Sequence, residues 1–304
     1  MQIDTYKSGF ISVIGRPNVG KSTFLNTVVG KKIAIMSNKP QTTRNKILGI
    51  VTTDEYQMIF TDTPGIHKPT TELDRRMVDA SYDSTKGVDA IMFMTTPVKS
   101  VLKGDEIILS NLKNTKVPVF LVINKVDQLK KWNDIDLTIN LYKDLYPFAG
   151  VFPISILENK HVDELMNELK RALPFGPQFY PAEQLSDQPE RFLVGELIRE
   201  KILDLTKEEI PHSIAVVVDS MKPCEDNPNY TDIYATIYCE RDSQKKIIIG
   251  HNGELIKAVK EKSIMDIKHL INTKVHLDLW VKVKKDWKDR PSDLKSLGYS
   301  KDNF

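Results

Sequence analysis

The sequence predicts two domains: an α/β domain with a doubly wound, mostly parallel sheet, and after it a smaller α+β domain. Three observations lead there. The chain has 304 residues, more than one hydrophobic core usually serves. Up to about residue 173, short apolar runs of strand type alternate with helical stretches, the pattern of a sheet with helices on both faces. Past a proline-punctuated stretch that alternation stops. The boundaries fall at 8–173 for the first domain, 174–190 for a linker and 191–304 for the second, which includes a C-terminal tail.

The elements follow in order. Phe10–Ile14 is an apolar strand that runs into a glycine loop, and Lys21–Val29 is the helix behind that loop. Ile47–Thr53 and Tyr56–Thr61 pair around a turn at Asp54-Glu55. Glu72–Lys86 is a helix, Ala90–Met94 a strand, Asp105–Lys113 a helix and Val117–Ile123 a strand. Asp134–Tyr146, Val151–Pro153 and Val162–Ala172 complete the first domain, whose ligand belongs at the carboxyl ends of the strands. Leu173-Pro174-Phe175-Gly176-Pro177 and the polar stretch from Pro181 to Pro189 make the linker. Beyond it Phe192–Leu205 is an amphipathic helix, Ser213–Asp219 and Thr231–Cys239 alternate as strands, Glu254–Ile271 is a longer helix and Val275–Val283 a last strand.

Composition narrows the class. At 40% hydrophobic and 28% charged the chain has the balance of an ordinary globular protein. Cys224 and Cys239 are the two cysteines, too few for a disulfide framework, and their spacing does not suggest a metal site. A reducing cytosol is the simple expectation. Met1 to Lys7 is polar and leads straight into a strand, so no signal peptide is expected. No apolar run approaches the ~20 residues that span a bilayer. The net charge of +2 hides an asymmetry: Arg241 to Arg290 holds thirteen Lys/Arg against seven Asp/Glu, while the rest is net acidic. That favours a polyanionic partner for the C-terminal domain.

Gly15-Arg16-Pro17-Asn18-Val19-Gly20-Lys21-Ser22, with Thr23 after it, fits G-x-x-x-x-G-K-[ST] between a strand and a helix. Such a loop wraps a phosphate with its backbone N–H groups, helped by the helix N-terminus. Lys21 neutralises β- and γ-phosphates there and Ser22 is a ligand for Mg²⁺. The pattern alone arises by chance in roughly one chain per hundred, and its placement makes chance rarer still. Asp62-Thr63-Pro64-Gly65 follows the next parallel strand, where an aspartate can hold Mg²⁺ and the Gly65 N–H can sense a γ-phosphate. Asn124-Lys125-Val126-Asp127 follows a further strand. A carboxylate at Asp127 accepts the N1–H and N2–H pair of guanine, which adenine lacks, so it selects GTP. Ser155, after the last strand, is placed to support the base.

In the second domain Gly250-His251-Asn252-Gly253 brackets a short loop. With 14 glycines, a G-x-x-G turns up by chance on the order of once per chain, so context carries the weight. Lys245-Lys246-Ile247-Ile248-Ile249 precedes the bracket and a helix bearing Lys257 follows. Such a loop lets a nucleic-acid backbone approach, and apolar neighbours such as Ile249 hold the bases. Propensity makes Ile247–Ile249 a strand. Trp280 sits in an alternating strand, where burial is the better reading, whereas Trp287, among lysines, is open as a stacking platform. His161, His212 and His269 lack metal-ligand spacing and are structural or surface residues.

These nucleotide motifs, in this order, resemble the TRAFAC class of GTPases and, with Gln41-Thr42-Thr43-Arg44, the Era family within it. Glu196-Leu197-Ile198-Arg199-Glu200-Lys201 and the run from Val275 to Lys284 look like the same family, so the resemblance covers nearly the whole chain. It implies an α/β P-loop GTPase domain followed by an α+β type II KH domain, in which 247–249 is helical. It implies Thr43 as second Mg²⁺ ligand, with Thr42 the competitor, and catalysis by Lys21, Thr43 and Gly65. Asn18 becomes a candidate K⁺ ligand that stabilises charge in place of an arginine finger. Ile66 stands where Ras-like proteins carry a water-orienting glutamine, and the family shares that apolar residue. Ile156 replaces the usual alanine, leaving its backbone N–H for guanine O6. His251 replaces a frequent lysine and offers phosphate less positive charge, which Lys245, Lys246 and Lys257 can offset.

By the same resemblance the chain is a GTP/GDP switch for small-subunit ribosomal RNA near its 3′ end and for the 30S precursor. The switches lie at Lys39–Arg44 and Asp62–Pro69. Cytoplasmic residence, peripheral contact with the inner face of the cell membrane and a monomeric state come with it. The alternatives are a GTPase acting on another structured RNA such as tRNA, and a nucleotide-dependent RNA binder without significant turnover. The intact Lys21, Ser22, Asp62 and Asp127 speak against the last.

Overall fold

The computed structural model describes residues 5–37, 39, 42–65, 69–131, 134–207 and 210–299. Two compact units emerge. One takes Met1–Ile33, Thr43–Pro69 and Met77–Asp187, the other Ala34–Thr42, Thr70–Arg76 and Gln188–Phe304.

In chain order the first unit carries β1 (Lys7–Ile14), α1 (Lys21–Val29), β2 (Ile47–Thr52), β3 (Tyr56–Asp62), α2 (Glu72–Asp83), β4 (Ala90–Thr95), α3 (Lys103–Asn111), β5 (Val119–Ile123), α4 (Asp134–Lys143), β6 (Gly150–Pro153) and α5 (Val162–Ala172). The opening turn of α2 belongs to the second unit. The strands lie in the order β2-β3-β1-β4-β5-β6, with β2 antiparallel to β3 and all other pairs parallel. β4 and β5 are buried at every position. Continuous apolar runs such as theirs suit strands covered on both faces. The parallel strands therefore deliver the loops after β1, β3, β5 and β6 to one edge of the sheet. α2 ends at Asp83, short of the expected Lys86, because the side chains of Ser84 and Thr85 turn back onto the carbonyls of Ser81 and Tyr82 (2.8 Å each). Gly87 then takes a left-handed φ of 67° that closes the turn.

Residues 174–187, expected as part of a linker, lie along the first unit. The Ile50 N–H donates to the Leu185 carbonyl (2.9 Å) and the Leu48 N–H to the Asp187 carboxylate (3.0 Å). The buried side chain of Gln57 accepts the Phe179 and Tyr180 N–H groups (2.7 and 3.0 Å) and donates to the Tyr180 carbonyl (2.8 Å). The first two bonds satisfy N–H groups on the outer edge of β2, which has no neighbouring strand on that side among the described residues, and Gln57 ties the strip to β3.

The second unit holds α6 (Glu190–Leu205), α7 (Ile210–Ser213), β7 (Ala215–Pro223), β8 (Tyr230–Cys239), α8 (Asp242–Ile249), α9 (Glu254–Ile271), β9 (Lys274–Val283) and α10 (Pro291–Ser296). Its sheet runs β7-β8-β9, with β7 and β8 antiparallel and β8 and β9 parallel. The parallel pair requires a crossover, which α8 and α9 supply. α6 packs on α9 and on β7, and α9 on β9, so the helices share one face of the sheet. Ile247–Ile249 closes helix α8, as the family resemblance implied and propensity did not. The Gln244 side chain starts that helix by accepting the N–H groups of Glu240 and Arg241 (2.9 and 3.1 Å).

Both tryptophan readings are reversed. Trp280 is 63% exposed and Trp287 is fully buried. Along β9, Val275 and Leu277 are buried while His276, Asp278, Trp280 and Lys282 are exposed on the face away from the helices. Alternation marks two faces without saying which is covered. Trp287 donates its indole N–H to the Ser213 carbonyl (3.1 Å) and stacks on Tyr299 at 5.7 Å. The charges around it point away, into ion pairs of Lys284 with Asp293 (3.0 Å) and Lys288 with Glu240 (2.9 Å). Urea melts should therefore show Trp287→Ala destabilised by about 3–5 kcal/mol. Trp280→Ala should stay within about 0.5 kcal/mol of the parent.

Candidate functional site

The glycine loop is built by close approach. Gly15 has φ 156° and a side chain there would overlap the Met94 carbonyl, while one at Gly20 (φ 111°) would overlap the Asn124 amide. Asn18 also sits at positive φ, 63°. The Gly20 carbonyl accepts the Phe24 N–H (2.8 Å), so α1 starts directly behind the loop. Lys21 is folded into the loop, its Nζ donating to the carbonyls of Gly15 and Arg16 (3.0 Å each). Burial lowers its pKa from 10.5 to about 8, with Asp62 pulling the other way.

Three oxygens meet beside it. Ser22 Oγ donates to Asp62 Oδ2 (2.6 Å) and lies 3.0 Å from Thr43 Oγ1. Asp62 is fully buried, and its Oδ1 has no hydrogen-bond partner among the described residues. Burial raises the Asp62 pKa, opposed by Lys21 and by the Ser22 and Thr43 hydroxyls. A buried carboxylate with one unsatisfied oxygen, beside two hydroxyls, is a hard-oxygen set that fits Mg²⁺. Of the two threonines, Thr43 joins this cluster. Thr42 turns its hydroxyl to the Lys39 carbonyl (2.6 Å). Thr63 Oγ1 donates to the Val13 carbonyl (3.2 Å), the Pro64 carbonyl accepts the Ser81 hydroxyl (2.7 Å), and a side chain at Gly65 would overlap the Pro17 ring. Ile66 and Gln41 lie outside the described residues.

The guanine-type loop closes on the glycine loop. Asn124 donates from Nδ2 to the Val19 carbonyl (2.9 Å) and accepts the Ile156 N–H at Oδ1 (3.3 Å). Lys125, at φ 68°, donates to the Asn18 carbonyl (2.8 Å). Asp127 Oδ1 accepts the Ser155 hydroxyl (2.6 Å), which orients the carboxylate. The Ile156 N–H, expected to serve guanine O6, lies 3.3 Å from Asn124 Oδ1, and the Ile156 side chain is buried in the protein. Arg16, Asn18, Thr96, Pro97, Lys125 and Gln128 rim a hollow of about 400 Å³.

Beside this edge lies a buried network that sequence reasoning missed. Asp105 Oδ2 accepts from Arg16 Nε (2.9 Å), Thr95 Oγ1 (3.2 Å) and the Tyr142 hydroxyl (2.5 Å). The Arg16 side chain thus braces the loop from behind. Burial pushes the Tyr142 phenol well above its ordinary value and the Asp105 carboxylate adds to the shift. No local spacing announces it, because the four residues come from four separate segments.

In the second unit Gly250 (φ 79°) lies so close to Leu255 that a side chain would clash, and Gly253 (φ 80°) begins α9 in a left-handed turn. Lys246, His251, Asn252 and Lys257 are exposed, and Lys245 and Ile249 are half-buried. Ile247 is 49% exposed beside the bracket, an apolar contact that the run of three isoleucines could not single out. Elsewhere Cys224, Asp232 and His276 offer ligand atoms within 4.8 Å of one another, with His276 Nδ1 2.9 Å from Asp232.

Residues 10–125 match the 50S ribosome-binding GTPase family and residues 209–288 the KH domain family. A crystal structure of Era in complex with MgGDPNP and nucleotides 1506–1542 of 16S ribosomal RNA is 37% identical. It covers 97% of this chain and 99% of its own, with a TM-score of 0.93. The chain belongs to the Era family of GTPases. A variant of Aquifex aeolicus Era bound to GDP·AlF4⁻ matches with the same identity, coverage and TM-score. The Era-family fold, a P-loop GTPase domain followed by a KH domain, is the one the sequence implied.

The buried Lys21 amine provides a test of the loop in the Era-family chain. A phosphate against Nζ supplies the counter-charge that burial withholds and so restores the proton. GDP binding to the nucleotide-free chain should take up protons at about pH 9, where an amine with pKa about 8 is mostly neutral, and far fewer at about pH 7. Calorimetry in two buffers of different ionisation heat reads the difference. A proton count independent of pH would contradict the placement of Lys21.

Proposed function

We propose that this chain is a GTP-hydrolysing switch that binds 16S ribosomal RNA near its 3′ end and acts in assembly of the 30S subunit. The observation that carries the reading is the junction, in one chain, of the Ser22–Thr43–Asp62 oxygen cluster and the Gly250–Gly253 bracket. The near full-length match to an Era complex with MgGDPNP and 16S RNA nucleotides supports it.

In this reading the backbone of residues 15–20 cradles the β- and γ-phosphates and Lys21 neutralises them. Ser22, Thr43 and Asp62 hold Mg²⁺, and the Gly65 N–H faces the γ-phosphate. Bound Mg²⁺ supplies charge neutralisation on the phosphoryl oxygens. Asp127, steadied by Ser155, takes the guanine N1–H and N2–H pair. Attack of water on the γ-phosphate yields GDP and phosphate. Ile247, Ile249 and the exposed Lys246 and Lys257 flank the RNA strand that the bracket admits. Asn18, on the rim of the hollow, would hold K⁺ by family resemblance, and the ion would supply charge stabilisation in place of an arginine finger. Residence in the cytoplasm, peripheral membrane contact and a monomeric state rest on family resemblance alone. No helix among the described residues is long and apolar enough to cross a membrane.

Binding of a short RNA copying the 3′ tail, titrated at fixed salt with a non-hydrolysable GTP analogue and with GDP, tests the reading. Tighter, sequence-specific binding with the analogue is expected. Absence of specific binding in both states leaves a GTPase with another partner. Turnover should be several-fold faster in KCl than in NaCl at equal ionic strength, and equal rates remove K⁺ from the scheme.

A further inference from the structure

A switch that reads RNA has no task for Cys224, Asp232 and His276, yet the second unit gathers these three donors from separate stretches of sequence. β8 and β9 pair in parallel with Asp232 opposite His276, on the sheet face away from the helices. β7 and β8 run antiparallel as far as Pro223 opposite Thr231. The Cys224 N–H then donates to the Tyr230 carbonyl (2.9 Å), which fixes the residue after β7 beside the start of β8. The connecting loop is tied down as well. The Tyr230 N–H donates to the Asn227 carbonyl (2.9 Å), and the Lys274 N–H of β9 to the Asn229 carbonyl (3.1 Å).

The side chains are aimed as well as near. His276 Nδ1 lies 2.9 Å from Asp232 Oδ1, and the imidazole stacks on the Tyr230 ring at 4.4 Å. Cys224 is half-buried and forms no disulfide. Lys222, opposite Asp232 on β7, turns its amine to Glu225 (3.3 Å), and the Lys274 amine lies over the Tyr230 ring (5.4 Å). The ligand atoms of the three residues lie within 4.8 Å of one another. A tetrahedral zinc with bonds of about 2.0–2.3 Å keeps its ligand atoms about 3.3–3.7 Å apart. Closing the cluster to that size moves an atom by about 1.5 Å at most, within reach of a side-chain rotation at Cys224.

We propose that Cys224, Asp232 and His276 form a Zn²⁺ site on the open face of the second unit's sheet. The chemistry of the donors selects the ion. Thiolate and imidazole suit zinc, whereas Mg²⁺ and Ca²⁺ ask for oxygen ligands. The thiol releases its proton to solvent as it becomes a ligand. Three protein ligands leave the fourth position to water.

The test uses the full chain with its thiols reduced and Mg²⁺ in excess, and it does not depend on GTP turnover. Co²⁺ is titrated in as a stand-in for zinc, because a thiolate ligand gives it a charge-transfer band in the near ultraviolet. The band should saturate at one equivalent and vanish when Zn²⁺ is added. Cys224→Ser should lose it, and Cys239→Ala, at the buried cysteine, should keep it. Asp232→Asn and His276→Gln should each weaken Co²⁺ binding about tenfold or more, since even loss of a group behind a metal ligand costs about 10–100-fold. No band in the reduced parent overturns the proposal. So does a band that survives Cys224→Ser, or parental affinity in either Asp232→Asn or His276→Gln.

Discussion

The nucleotide edge of the first unit hangs on one buried amide. Asn124 donates to the loop after β1 through Val19, accepts from the loop after β6 through Ile156, and gives its own N–H to the Thr95 carbonyl at the end of β4 (2.9 Å). The buried side chain of Asn124 thus ties the loops after β1 and β6 to the end of β5, and its backbone N–H adds the end of β4. Gly20 has no side chain because that amide occupies the space. The Ile156 N–H meets the Asn124 side chain at 3.3 Å, and the Ile156 side chain is buried.

Around this fixed point the chain places charges that burial disfavours. Lys21 and Asp62 are each pushed toward neutrality by burial, and each moderates the other's shift. The Asp62 oxygen without a partner is a cost the fold carries, since unsatisfied buried polar groups destabilise. Sites of this kind trade stability for readiness, because a ligand that pairs with those groups recovers what folding gave up. The Arg16–Asp105–Tyr142 network shares that cost: Asp105 Oδ2 accepts three hydrogen bonds while its Oδ1 has no hydrogen-bond partner among the described residues.

Much of this was legible in the sequence, for definable reasons. The glycine loop, Asp62, Asn124 and Asp127 are local patterns whose chemistry dictates their spacing, and apolar runs as unbroken as those of β4 and β5 announce a sheet covered on both faces. Thr43 and the helical state of 247–249 came only with the family resemblance. What stayed hidden depends on contacts distant in sequence. Which face of β9 is covered depends on α6 and α9, and so the exposure of Trp280 could not be read from alternation. Trp287 is buried because Tyr299 and Ser213 close over it, and neither is near it in a periodic pattern. Asp105 looked like an ordinary acidic residue at a helix start.

The strip 174–187 has a consequence for how the chain can be divided. Leu48 and Ile50 point N–H groups outward from β2, and it is Asp187 and Leu185 that accept them. A fragment ended at Leu173, where sequence pattern alone would cut, bares an apolar edge strand. Such an edge recruits strands from other copies and leads to aggregation. Carried to Asp187, the fragment keeps its own cover. The proline-rich stretch is a guard strip against self-association as much as a tether.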